Sequence, residues 1–167
     1  YVSPQLWAWR KGRIKDVKRD VAKMLVIFPF EEAIYRDAGV PVTFVGHPMI
    51  DHVKPPADRG AVTSRLGLSP DRPVIAMLPG SRNKEVSFNL PPMIEAVKVL
   101  RAGRPELQFV LAAGPHLRAG TFDQARSAGI TIVEGRTREV LAAARVAIVA
   151  SGTATVETAL TLTPMVV

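Results

Sequence analysis

The 167-residue sequence contains no cysteine. Disulfide frameworks and thiolate nucleophiles are excluded, and the chain suits a reducing compartment. Aromatic residues make up only 6%, which leaves little material for a base-stacking platform. No apolar run approaches the ~18 residues of a membrane-spanning helix. The longest apolar stretches have the length of buried strands, about five residues. Common site signatures are missing too. There is no P-loop sequence G-x-x-x-x-G-K-S/T, no G-x-G-x-x-G dinucleotide fingerprint and no G-x-S-x-G nucleophile elbow. The three histidines, His47, His52 and His116, have no metal-ligand spacing, so no metal site is expected.

What is present points to a folded, basic chain. Hydrophobic residues make up 47% and charged residues 22%, a globular composition. The formal charge of +7 favours anionic partners: nucleotide, phosphate, nucleic acid or an anionic lipid surface. The first residue is Tyr1, and "YVSP" reads as the end of a strand. The chain is therefore expected to be an internal piece of a longer protein.

Apolar runs alternate with helical patterns throughout. A helix is expected over roughly 5–22, then strand Met24–Phe28, a helix over "PFEEAIYRDAG" and strand Val42–Gly46. Pro29 starts that second helix and Gly39 ends it, the usual asymmetry. The stretch "KPPADRG", residues 54–60, has the composition of a linker. Beyond it the expected strands are Val74–Leu78, Leu107–Ala113, Ile130–Glu134 and Val146–Ala150, with "MVV" opening another. Helices are expected near 61–66, 86–102, 117–128 and 137–144, and from Ser151 onward. Strands separated by helices argue for parallel βαβ units, an α/β fold. The linker divides the chain into the end of one Rossmann-like domain (1–53) and most of a second (61–167), both incomplete.

Two strand ends carry the chemistry. "LPGSRNKEV" follows strand Val74–Leu78, where open α/β sheets bind ligands. Gly80 permits close backbone approach or positive φ. Ser81 offers a hydroxyl, and Arg82 a planar fork suited to phosphate. "ASGTATVETAL" follows strand Val146–Ala150. Ser151, Gly152 and Thr153 form a helix start, where free amides and the helix dipole attract phosphate. Glu157 lies one turn beyond Thr153, and a carboxylate there can accept from both hydroxyls of a ribose. For either stretch alone, a capped helix with solvated charges is the competing reading. Two anion-binding strand ends in one half-domain favour a nucleotide.

The stretches "YVSPQLWAWR", "FPFEEAIY", "FVGHPMID", "LPGSRNKEV" and "ASGTATVETAL", the last followed by "PMVV", closely resemble the lipid-A-disaccharide synthases. These are inverting glycosyltransferases of the GT-B class. The resemblance covers essentially the whole chain. It implies a GT-B type α/β fold and no cofactor. The implied reaction joins UDP-2,3-diacylglucosamine to 2,3-diacylglucosamine 1-phosphate with a β-1′,6 linkage and release of UDP, in lipid A biosynthesis. The implied partners are that lipid donor, that lipid acceptor and an anionic inner-membrane surface. The implied location is cytoplasmic, peripheral to the inner membrane of a Gram-negative-type bacterium. A homodimer is an admissible assembly state.

On this resemblance Arg82 and the helix start Ser151–Thr153 stabilise the leaving diphosphate without a metal, and Glu157 grips the ribose. Gly80 and Ser81 belong to the same site. Glu85 either orients Arg82 or is a plain surface carboxylate. The backbone of "EGRTRE", with Gly135 and Arg136, lies along the uracil. His47, at the expected hinge, is a further candidate for substrate contact. Arg145 stands where the family often has an acidic residue, and is read as a surface change. The general base of the family precedes Tyr1, so the chain alone is expected to be inactive.

At 100° per residue, Trp7, Ile14, Val17 and Val21 share one face of the expected 5–22 helix. Lys11, Lys15, Lys18 and Arg19 form a basic stripe beside it, and Arg10 intrudes on the apolar face. That stripe is either a solvated outer face or a contact with lipid head groups or the acceptor phosphate. Phe88 either reaches acyl chains or packs in the core. Two other readings stand beside the synthase. One is a UDP-N-acetylglucosamine 2-epimerase or another GT-B enzyme using a UDP-sugar. The other is a basic nucleic-acid-binding module, against which the scarcity of aromatics and the absence of a recognised motif both weigh.

Overall fold

The computed structural model describes residues 1–53, 58–118 and 120–167. The chain divides into two units, Tyr1–His52 and Val53–Val167.

In the first unit a 3-10 turn, Lys11–Arg13, leads into helix α1, Ile14–Asp20. Strand β1 (Met24–Val26), helix α2 (Pro29–Asp37) and strand β2 (Val42–Phe44) follow, and helix α3 is Met49–His52. β1 and β2 pair in parallel, Met24 against Val42, with α2 as the crossover. Leu6, Met24, Val26, Tyr35 and Val40 form the buried core, with Ile14, Val17 and Val21 packed against it. Tyr35 is 1% exposed, and its hydroxyl lies 2.7 Å from Ser3 Oγ. Burial raises the Tyr35 phenol above its ordinary range, and the Ser3 hydrogen bond partly offsets that.

The first helix is shorter than its periodicity suggested. Residues Leu6–Trp9 form turns, and Arg10 sits at φ 52°, ψ 56° in the left-handed region. A helix cannot run through that conformation. Trp7 and Arg10 therefore lie outside α1, and the apolar face reduces to Ile14, Val17 and Val21. Trp7 meets the Phe30 ring edge-on at 5.3 Å.

Among the described residues of the second unit, helix α4 (Arg59–Arg65) precedes five strands with four intervening helices. The strands are β3 (Val74–Leu78), β4 (Gln108–Ala113), β5 (Thr131–Glu134), β6 (Val146–Val149) and β7 (Met165–Val166). Between them run α5 (Asn83–Gly103), α6 (Asp123–Ser127), α7 (Thr137–Ala143) and α8 (Thr153–Leu160). All pairings are parallel, in the order β5-β4-β3-β6-β7. Each face of the sheet carries an apolar layer. One side gathers Val110, Val140, Leu141 and Ala147 with α4 and α7. The other gathers Met77, Phe109 and Leu111 under α5 and α6. Helix α5 turns Val86, Leu90, Met93, Ile94 and Val97 inward, the spacing of one helical face.

Of the expected linker, residues 54–57 lie outside the described residues. Asp58 accepts a hydrogen bond from the Ala61 amide at 3.0 Å and so caps α4, while Arg59 and Gly60 are its first two residues. The helix expected over 117–128 is confined to Asp123–Ser127, since Gly120 takes φ 78° inside that span. Among the described residues no helix is long and apolar enough to cross a membrane.

Candidate functional site

The strand order places the site. Chain direction along the sheet reverses at β3: β4 and β5 lie on one side of it, β6 and β7 on the other. Loops leaving β3 and β6 therefore diverge, opening a crevice at their carboxyl ends. The Ala150 amide donates to the Leu78 carbonyl at 2.8 Å, holding the two strand ends together as its floor. The crevice is a cleft of about 590 Å³.

One wall is the loop Pro79–Arg82. Asn89 Nδ2 donates to the Pro79 carbonyl at 2.9 Å and pins the turn from within α5. Gly80 takes φ 121°, a region closed to most L-residues. Arg82 is the residue before α5 and has extended backbone angles. Its side chain is 82% exposed and pairs with Glu85 at 2.8 Å.

The other wall is the start of α8. Gly152 precedes the helix at φ 149°, ψ −157°, a conformation essentially confined to glycine. Among the described residues no side chain caps this helix start, which leaves its first amides and the positive end of the dipole available to an anion at this wall. Ser151, Thr153 and Glu157 line the same cleft. Glu157 Oε1 accepts from Arg138 Nε at 3.0 Å, and the glutamate side chain is only 18% exposed.

Gly80, Ser81, Arg82, Glu85, Ser151, Gly152, Thr153 and Glu157 are thus gathered around one cavity. Gly135 and Arg136 do not line it; from that loop only Thr137 does. Arg136 turns to Glu139 with two bonds of 2.8 and 2.7 Å, and this pairing holds the Glu139 carboxyl below its ordinary range. The arginine that reaches Glu157 is Arg138, which sequence reading did not single out. The signal was present: Glu139 stands three residues after Arg136, the spacing of a helical ion pair. His47 belongs to the first unit, where its Nδ1 accepts from the Met49 amide at 3.3 Å and its ring lies 6.2 Å from that of Phe28. Phe88 is 81% exposed and so is not a core residue. Arg145 is exposed at the amino-terminal end of β6, away from this cleft.

Electrostatically the cleft offers the Arg82 guanidinium and a helix amino terminus against the carboxylates of Glu85 and Glu157, which pair with Arg82 and Arg138. Such a set suits a polyanion bound at one end and a polyol at the other.

Comparison with known proteins gives the family of the chain. The family model for lipid-A-disaccharide synthetase matches residues 1–167. The chain is 48% identical over 170 residues to the lipid-A-disaccharide synthase of Thiobacillus denitrificans, covering 100% of this chain and 45% of that protein. The synthase of Myxococcus xanthus is also 48% identical, with 100% of this chain and 44% of that protein covered. That of Coxiella burnetii is 41% identical over 167 residues, again with 100% and 44% covered. The chain thus spans less than half the length of these curated relatives. With the match running from its first residue to its last, the chain belongs to the lipid-A-disaccharide synthetase family.

Proposed function

We propose that the second unit is the UDP-sugar half of a lipid-A-disaccharide synthase and that the first contributes to its acceptor side. Residues 1–53 then belong to the acceptor-side domain, 54–60 to the hinge and 61–167 to the nucleotide domain. The reaction is transfer of 2,3-diacylglucosamine from UDP to the 6-hydroxyl of 2,3-diacylglucosamine 1-phosphate. The acceptor oxygen attacks the anomeric carbon from the face opposite UDP. The bond to the diphosphate oxygen breaks, the hydroxyl proton passes to a base, and configuration inverts. No residue of this cleft is assigned the role of base.

The observation that carries this reading is the meeting of Arg82 and the open start of α8 across one crevice. Negative charge grows on the departing diphosphate. Fixed donors at that point stabilise the transition state more than the ground state. In this reading Glu157, one turn into α8, accepts from the ribose hydroxyls, and the Arg138 guanidinium holds its carboxylate in position. The lipid substrates suggest work at an anionic inner-membrane surface on the cytoplasmic side, with the enzyme peripheral to it.

The test is an assay of the complete enzyme with both lipid substrates. Arg82→Ala and Glu157→Ala should each lower turnover by on the order of a hundredfold or more, the usual effect of losing one preorganised charge-stabilising group. Near-normal activity in both variants would refute the assignment of this cleft.

A further inference from the structure

Glu85 has a geometry that nucleotide binding alone leaves unexplained. Its Oε2 accepts from the backbone amides of Ser81 at 3.0 Å and Arg82 at 3.3 Å. Its Oε1 accepts from Arg82 Nη1 at 2.8 Å. Successive amides at a strand-to-helix turn are the groups such a loop offers to a phosphate. Here a carboxylate of the chain itself occupies them. The fit is tight: a Cβ added to Gly80 would stand 2.7 Å from Glu85 Cβ and 2.8 Å from Oε2. The opposite wall differs, since α8 begins without any side-chain cap.

We propose that Glu85 is a resident anion of the β3–α5 loop: it fills that loop's amides, fixes Arg82, and leaves the diphosphate to the start of α8 and the outward edge of the Arg82 guanidinium. This deepens the nucleotide reading above and rests on it. Glu85 is a positioning residue, acting through Arg82. The Ser81 amide first, then Arg82, holds its carboxyl below the ordinary range despite an opposing desolvation. It therefore stays charged wherever the enzyme works.

Uridine and UDP, titrated separately into the complete enzyme and its variants, test this. Glu85→Gln should weaken UDP about tenfold, the scale of one charge-assisted contact, and leave uridine unchanged. A merely structural role would weaken both. Glu85→Ala combined with Arg82→Ala should bind UDP no more weakly than Arg82→Ala alone, because both changes remove one coupled unit. UDP binding in Glu85→Ala as tight as in the wild type, or tighter, would overturn the proposal, because phosphate would then be competing for the loop amides. A second measurement needs no nucleotide. The Ser81 and Arg82 amide resonances of isotope-labelled protein should follow the titration of a low-lying carboxyl, and lose that inflection in Glu85→Gln. Amides that ignore such a titration would also overturn it. Amides that follow Glu85 in an enzyme that binds no UDP would leave the resident anion standing and remove the nucleotide reading.

Discussion

Gly80 shows how one missing side chain shapes the site. Its φ of 121° and the 2.7 Å approach of Glu85 Cβ leave no space for a methyl group. Gly80→Ala must therefore shift the turn or expel Glu85 from the loop amides. The expected cost is about 1–3 kcal/mol of stability, the scale of a strained backbone position, together with UDP affinity reduced toward that of Arg82→Ala. A melting curve and a UDP titration on the same variant check both, and wild-type values in each would show that the turn tolerates a side chain. At this scale much of the cleft was legible. Ser81, Arg82 and Ser151 follow buried strands closely and Glu157 lies one turn into the helix after β6, so strand ends plus helix starts located them. Choosing between Arg136 and Arg138 required knowing where each leaves α7. One is captured by Glu139, the other reaches Glu157.

Among the elements, α1 tests the membrane reading. The basic stripe, which begins at Lys11 in the preceding turn and continues along α1, is partly neutralised, since Arg19 pairs with Asp20 at 2.7 Å and Asp16 at 3.4 Å. Lys11, Lys15 and Lys18 carry no acidic partner among the described residues. Replacing these three lysines with glutamine should reduce partitioning of the complete enzyme onto phosphatidylglycerol-containing vesicles by on the order of a hundredfold at low salt, at about 1 kcal/mol per lysine. Unchanged cosedimentation would remove α1 from the membrane contact. The limits of α1 were not legible from periodicity. A 100° repeat registers side-chain character, whereas the helix ends because Arg10 adopts a left-handed backbone. Gly120 shortens α6 in the same way. The central strands were read almost to the residue. β3 and β4 are buried nearly throughout, and continuous apolar runs of that length have few other fates.

For the molecule as a whole, the paired carboxylates contribute to its response to acid. Glu85, Glu106 and Glu139 lie below the ordinary value of 4.5, held there by hydrogen bonds. Asp20 lies below 3.8 through Arg19. Each binds fewer protons folded than unfolded in that range. Their contribution is present above the ordinary carboxylate range and is lost as pH falls through the lowered values. The urea midpoint should therefore hold near neutrality and decline from about pH 5 downward. A midpoint that stays level down to pH 3 would show that these pairings add nothing to folding.

The strand order also governs when the cleft can come into being. β4 follows β3 after a single helix, but the other neighbour of β3, paired through Ile75 and Val146, emerges only after α6, β5 and α7. During synthesis one wall is complete while the second is still within the ribosome. Until β6 docks, β3 exposes an unpaired apolar edge that foreign strands can join. The arrangement that creates the crevice thus concentrates the hazard of misassembly in that interval. Mutations slowing β6 docking should harm yield more than they harm the finished enzyme.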